Sequence, residues 1–411
     1  MNYPNNPVAQ SQMRTNFREA DLEVVMEHIH AGKSVEIIGL GSVGKSNFIR
    51  RLMRKDVQDR YLYQLYQEQS HCIFIGIDAN SLLEPMPSAF DPTIPSGWSG
   101  YELIASRLLQ AVMDNQLVAH ITNPKDASHP ESLYALYHKI WPSETAHSNT
   151  HIVAFRYLED LMHRIFAGSN HGIKLIFIFD EFEKMLRELP PRFFQSLRSL
   201  RDQYKDRIMY ITTARQILPL LVAEELHVEY EAFFDLFVDT RHFLLPYRPS
   251  DAEQTFQRMS SRQDYSPPPA PIREQMMLAT GGHAGLLRAA FSAWEPKKLI
   301  YEGMSDTQVV ATLLNLPATQ EECSTIWRSL SNRERRILFE MTRLKHQGKF
   351  TDYNTLNPLV SLLVQKGILL ETDSMSYDNI RPPVFAGFLF MSIPSSTNPN
   401  ADSEQLFNLA W

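Results

Sequence analysis

The chain has 411 residues, 44% hydrophobic and 21% charged, the balance of a globular protein with room for two or three domains. Its formal net charge of −7 excludes a global field that would draw it onto nucleic acid or an anionic membrane, so any such contact has to be local. Cys72 and Cys323, the two cysteines, form neither a metal-ligand spacing nor a disulfide framework. No run approaches the ~18 apolar residues of a membrane span, and the polar start lacks the apolar core of a signal peptide. A cytoplasmic location without membrane contact is the expectation.

Residues 1–16, rich in Asn, Gln and Pro, read as a flexible N-terminal arm. Leu22, Val25, Met26 and Ile29 then recur at helical spacing over 18–30, and a break at Ala31-Gly32 leads into a β-branched strand, 34–38. The run Gly39-Leu40-Gly41-Ser42-Val43-Gly44-Lys45-Ser46 fits the phosphate-loop pattern G-x-x-x-x-G-K-[ST]. Its glycines let the backbone curl so that N–H groups point at phosphate oxygens, Lys45 reaches the β- and γ-phosphates, and Ser46 holds Mg²⁺. The candidate nucleotide-binding set is Gly39, Gly41, Ser42, Val43, Gly44, Lys45, Ser46 and Asn47, with a helix over 47–53.

A continuous apolar run predicts a second strand, 71–78, covered on both faces, and a helix follows over 101–113. The stretch 115–149, with scattered Pro, Ser, Asn and His, reads as an insertion with a short helix at 133–140. An amphipathic helix over 151–167 feeds the strand 173–179, which ends in Asp180-Glu181. One carboxylate of such a pair organises Mg²⁺ and the other orients or deprotonates the attacking water. Asp180 is assigned to the metal and Glu181 to the base.

A helix over 191–204 places Arg198 and Arg201 on one face, read as solvated in preference to an arginine offered to a neighbouring subunit. The strand 207–213 ends in Thr212-Thr213-Ala214-Arg215. Thr212 or Thr213 would sense the γ-phosphate or hold the attacking water, and Arg215 would neutralise transition-state charge. A helix over 217–226 and a strand over 241–245 complete a pattern of alternating strands and helices, which predicts a parallel, doubly wound α/β sheet. The P-loop NTPase core is therefore placed at 17–246.

A small α-helical lid is expected at 247–318. Ser250-Asp251-Ala252-Glu253 reads as a capping box, prolines 267–269 and 271 as a stiff connector, and 272–279 and 284–293 as helices. Between these helices Thr280-Gly281-Gly282-His283 places a helix N-terminus and His283 where they suit base, ribose or phosphate. A winged-helix domain is expected at 319–394: a capping box at Ser331 and Glu334, helices over 333–345 and 358–366, and a hairpin from 367–371 and 377–381. Its second helix is apolar with one lysine, Lys366, and the nearby Arg333, Arg335, Arg336, Lys345 and Lys349 form only a modest basic group. DNA readers need more phosphate-neutralising and base-edge side chains, so this domain reads as a packing or regulatory module. Residues 395–411 read as a disordered tail.

The set GLGSVGKS, KLIFIFDEFEKM, IMYITTAR and TGGHAGLL, followed by a winged helix, resembles STAND-class ATPases, switches related to AAA+ and origin-recognition ATPases. The resemblance covers about residues 15–392. It implies a switch in which ADP holds a closed monomer and exchange for ATP promotes oligomerisation. It also implies that Lys45 and Ser46 bind phosphate and Mg²⁺, that Asp180 and Glu181 form the metal and water pair, and that Arg215 is the strand-end arginine. The family usually has a proline in the lid turn where this chain has Ala284. It also usually carries a sensor or effector after the winged domain; none is recognisable here, so either is expected on a separate protein. The function expected is a slow, ATP-hydrolysing switch whose assembly or partner binding is gated by ATP and ADP, in signalling or defence. The alternatives are a DNA-associated ATPase, an origin or transposition helper holding duplex through its winged helix, and a nucleotide-binding scaffold with negligible turnover.

Overall fold

The computed structural model describes residues 16–63, 70–83, 96–115, 150–167, 172–295, 297–349, 353, 357–372 and 375–393. The helix expected at 133–140, the arm before residue 16 and the tail after 393 lie outside them. The chain divides into two compact units. One comprises Ala20–Ile38 and Ser46–His242; the other takes the segment up to Glu19, the loop Gly39–Lys45 and everything from Phe243 onward.

The first unit is built on a sheet of β1 (Val35–Ile38), β2 (Ser70–Asp78), β3 (Gly172–Asp180), β4 (Ile208–Ala214) and β5 (Arg241–Phe243), in the order β2-β3-β4-β1-β5. The β2–β3, β3–β4 and β1–β4 pairings are parallel. Every residue of β1 and β4 is buried, as is the run 175–179 of β3. Continuous β-branched and aromatic runs make such strands, because helices cover both faces of a parallel sheet. Alternation sends Ile73, Ile75, Leu175, Phe177, Phe179 and Tyr210 into one apolar core. Phe74, Ile176, Ile178, Met209 and Ile211, on the opposite pleat, are equally buried.

The helices of this unit are α1 (Glu19–His30), α2 (Lys45–Leu52), α3 (Lys55–Tyr61), α4 (Trp98–Asp114), α5 (Thr150–Ala167), α6 (Phe182–Glu188), α7 (Pro191–Gln203) and α8 (His227–Phe234). The helix expected over 217–226 is instead two 3₁₀ turns, Leu218–Leu221 and Glu224–Leu226, followed by α8. Pro219 supplies no N–H and disfavours the α conformation at Leu218, and the Leu218 N–H donates to the buried Glu36 carboxylate at 2.7 Å. The solvated face expected for Arg198 and Arg201 is also corrected. Arg201 is buried and donates to the Gly32 carbonyl at 3.0 Å, and Arg198 donates to Asp202 and to the Ala232 carbonyl.

In the second unit α9 (Pro249–Gln263), α10 (Ala270–Thr280), α11 (Ala284–Trp294), α12 (Asp306–Leu314), α13 (Pro317–Arg328), α14 (Asn332–His346), α15 (Pro358–Gln365) and α16 (Pro383–Ser392) share one core. The capping box expected at Ser250 does not form. Pro249 takes the first helical position, where its fixed φ suits it, so Arg248 is the cap residue and Ser250 is already helical. The box at Ser331 and Glu334 forms, as does one at Ser305 and Gln308 that opens α12. The two segments of the expected hairpin pair over a short stretch: Leu369 bridges Ile380 antiparallel, the Leu370 N–H donates to the Asn379 carbonyl at 2.9 Å and the Arg381 N–H to the Ile368 carbonyl at 2.7 Å, while a second bridge joins Tyr353, before α15, to Met375. Lys366, the one lysine read in the helix over 358–366, is buried at the end of α15 and donates to Glu334 at 2.6 Å, both side chains being fully enclosed.

Candidate functional site

The C-terminal end of β3 gathers three of the polar residues singled out in the sequence, Asp180, Glu181 and Thr213. Thr213 donates its hydroxyl to Asp180 Oδ1 at 2.6 Å. The Glu181 N–H donates to the same oxygen at 3.1 Å and to Thr213 Oγ1 at 3.3 Å. Glu181 stands in the left-handed region, φ 52° and ψ 46°, and α6 begins at the next residue. A non-glycine backbone there costs roughly 1–3 kcal/mol and persists only when its surroundings fix it. The sharp turn carries the Glu181 side chain off the line of the strand. Between the two threonines that were candidates, Thr213 contacts the carboxylate. Thr212 lies in register between Glu36 and Phe179, fully buried, with no partner for its hydroxyl.

Sequence reasoning missed Asn80. It sits on a 3₁₀ turn, Ala79–Ser81, at the end of β2, where Asp78 accepts from its backbone N–H at 2.9 Å. Because Asp78 and Asp180 are in register, the amide of Asn80 reaches Glu181 and donates to Oε2 at 2.9 Å. Only the strand pairing reveals this, since 101 residues separate the two. Arg215, just past β4, is 43% exposed and lies 3.4 Å from Glu183 on α6.

In the second unit the phosphate loop is curled, with Ser42 at φ 60° and Gly44 at φ 103°. The Lys45 ammonium donates to the Gly39 and Leu40 carbonyls at 2.6 and 3.1 Å. A Cβ at Gly41 would lie 2.7 Å from Thr325 Cγ2 and 2.8 Å from its carbonyl oxygen, so α13 packs directly on the loop backbone. Gly39 lies against Val43 and the stem of Lys45, while Val43 is buried. The Ser42 carbonyl accepts from the Gly285 N–H in the first turn of α11 at 3.0 Å. Lys45, Ser46 and Asn47 open α2.

His283 is the cap residue of α11, with an extended backbone. It is 1% exposed, and neither ring nitrogen has a hydrogen-bond partner. Burial, then the charges of Arg18 and Lys45, hold its pKa down at about 4, with the Ser42 backbone acting weakly the other way. The imidazole is thus held neutral beside the phosphate loop.

These donors suit a nucleoside triphosphate with Mg²⁺. Left-handed Ser42 and Gly44 build a backbone cradle of the kind that binds phosphate. Among the described residues no cluster of three or more His, Cys, Asp or Glu could hold a metal by itself. The residues that would hold Mg²⁺ beside a bound triphosphate are Ser46 and Asp180, an oxygen donor set of the kind that cation takes.

No family model matches the chain, and no curated protein matches it. Among solved structures it is similar to a Walker-type ATPase of Pyrococcus abyssi, at 16% identity over 90% of this chain and 95% of that one, with a TM-score of 0.47. It is also similar to the Orc1 protein of Aeropyrum pernix, solved in complex with DNA, at 12% identity over 90% and 91% of the two chains, TM-score 0.37. A third is Cdc6p of Pyrobaculum aerophilum, 12% identical over 93% and 96%, TM-score 0.36. The fold class is α/β of the P-loop NTPase kind. It rests on the parallel sheet, in which β4 separates β1 from β3, and on the glycine-rich loop that follows β1. Among the described residues no helix is long and apolar enough to cross a membrane.

Proposed function

We propose that this protein is an ATPase that binds ATP with Mg²⁺, hydrolyses it slowly, and uses the ATP and ADP states as a switch. One observation carries the reading: Asp180, Glu181, Thr213 and Asn80 form a connected polar cluster at the end of β3. β1 ends on the same edge of the sheet, since Ile38 pairs with Ala214 and Phe179 with Thr212, and the chain passes from Ile38 straight into the phosphate loop. In a parallel sheet the C-terminal strand ends face the ligand crevice.

In this reading the loop amides and Lys45 bind the phosphates, and Ser46 and Asp180 hold Mg²⁺, which neutralises charge developing on the γ-phosphate. Thr213 orients the Asp180 carboxylate. Glu181 accepts a proton from the water that attacks the γ-phosphorus, the work of a positioned carboxylate. Asn80 occupies one Glu181 oxygen and so restrains this base, which suits slow turnover. Arg215 stands at the end of β4 to meet transition-state charge, and its pairing with Glu183 fixes where its guanidinium rests. His283 contributes a neutral hydrogen-bonding group from the lid. The domain limits proposed are a core at 17–246, a lid at 247–318 and a winged-helix module at 319–394.

The switch role in signalling or defence, with nucleotide-dependent self-association and a separate sensor or effector, rests on the resemblance in motifs. A DNA-associated ATPase is the alternative, and it would rest on the exposed Arg333, Arg336 and Lys349. Lys366 is unavailable to it, and Arg335 and Lys345 are engaged with the Leu330 carbonyl and with Asp378. The site is tested by Lys45→Ala, expected to abolish ATP and ADP binding by calorimetry while leaving the circular dichroism spectrum and melting behaviour of the apoprotein intact. Retained tight binding would sink the assignment.

A further inference from the structure

Arg18 lies outside every motif singled out in the sequence, yet it is 2% exposed and wrapped around the phosphate loop from behind. Its Nη2 donates to the Val43 carbonyl at 3.0 Å, and its Nη1 donates to the Leu245 carbonyl at 2.6 Å. The guanidinium lies over the Tyr247 ring, 4.6 Å from the centroid. Tyr247 in turn packs its hydroxyl against Gly44, where a Cβ would come within 2.7 Å. The Arg18 backbone stands at φ 55°, a conformation costly for a residue with a side chain, and its N–H is held by Asp251 Oδ1 at 2.8 Å. A buried guanidinium fastened by two carbonyls and a ring, on a strained backbone whose N–H is held by a carboxylate, is an over-determined arrangement.

Its contact with Val43 bears on phosphate binding. In a trans peptide the C=O and the following N–H point to opposite sides. Holding the Val43 carbonyl towards Arg18 therefore turns the Gly44 N–H away from it. The preceding peptide is held from outside in the same way, the Ser42 carbonyl accepting from the Gly285 N–H of α11. Two consecutive loop carbonyls, those of Ser42 and Val43, are thus occupied by donors; the Val43 N–H itself donates to the Leu40 carbonyl at 3.4 Å, so the Gly44 N–H is the amide that the Arg18 contact orients for an anion.

We propose that Arg18 is a positioning residue for the phosphate loop: it touches no nucleotide itself, but fixes the Val43–Gly44 peptide and ties the loop to Leu245 and Tyr247. This rests on the nucleotide-binding reading above. A guanidinium suits the task because its planar fork reaches two carbonyls while its face stacks on the tyrosine; an ammonium cannot do all three. The loop therefore pays less ordering entropy when it grips the β-phosphate.

The test compares AMP and ADP binding by calorimetry in the wild-type chain, Arg18→Lys and Tyr247→Leu, with thermal melting of each apoprotein. Because hydrogen bonds from charged groups contribute more than neutral ones, Arg18→Lys is expected to shrink the preference for ADP over AMP by about tenfold. Tyr247→Leu should shift the preference in the same direction by less. An unchanged preference in Arg18→Lys, with AMP and ADP weakened in parallel or not at all, overturns the proposal, since that is the signature of a base contact or of a general structural role. If Arg18→Lys does not fold, Tyr247→Leu decides by the same criterion. A wild-type chain that binds ADP no better than AMP overturns the positioning role, and one that binds neither overturns the nucleotide reading as well.

Discussion

Glu181 and His283 gain their chemistry from backbone and burial in different ways. Glu181 was legible as one of two carboxylates at a strand end. Its left-handed turn and its bond to Asn80 were not, because nothing in Ala79-Asn80-Ser81 marks a partner 101 residues away. Arg18 escaped notice for a similar reason: a lone arginine before an amphipathic helix reads as solvated until the chain folds back over it. His283 was legible as a lid residue facing a helix N-terminus, but its full burial without a partner was not. That burial makes a testable consequence. The folded-state pKa of about 4 lies below the ordinary 6.5, so between these values the unfolded chain binds a proton that the folded chain refuses, and stability falls as pH drops through the window. At 1.36 kcal/mol per unit the total is about 3 kcal/mol. Urea midpoints measured from pH 7 to 4 should fall less steeply in His283→Asn than in the wild type; parallel curves would count against a buried neutral imidazole.

Among the elements, the strands and long helices were readable because their apolar periods are long and clean, as in 173–179 and 151–167. Several helices were not read at all, among them α3, α6, α8, α12, α13 and α16. The seven-residue α6 follows a polar strand end that looks like a loop, and the eight-residue α8 follows the 3₁₀ turn Glu224–Leu226. α16 is apolar almost all round, so it offers no helical stripe. Capping boxes were half legible: the pattern is the same at Ser250 and Ser331, and only Pro249 makes the difference. In α14 the capping glutamate has a second task, which yields an element-scale prediction. Glu334 caps the helix with one oxygen and neutralises the enclosed Lys366 with the other; burial pushes the Lys366 pKa down, against the pull of Glu334. Glu334→Ala strands a buried cation and should cost roughly 3–5 kcal/mol in urea unfolding. The double variant Glu334→Leu with Lys366→Met should recover most of that. A single variant within about 1 kcal/mol of wild type would show that the pair carries little, as surface pairs do.

At the scale of the whole molecule, alternating strands and helices were enough to foresee a parallel α/β sheet, while the strand order was beyond reach. Nothing local announces that β4, last but one in sequence, lies between β1 and β3. Nor does the sequence show that the phosphate loop packs with the C-terminal helices, where α13 meets Gly41 and α11 meets Ser42. Within the second unit the fit is close: a side chain at Gly41 would collide with Thr325 of α13. If the switch works through assembly, light scattering should give a larger mass with a slowly hydrolysed ATP analogue than with ADP. An identical mass in both would remove self-association from the proposal.

In the proposed function, hydrolysis of a bound triphosphate depends on Glu181 activating the attacking water. Steady-state phosphate release, with and without Mg²⁺, in the wild type and in Glu181→Gln tests it most directly. Turnover should be slow and Mg²⁺-dependent in the wild type and lower by about 10²-fold or more in the variant, with ATP binding retained. Equal turnover in both proteins, or background rates in both, would contradict it.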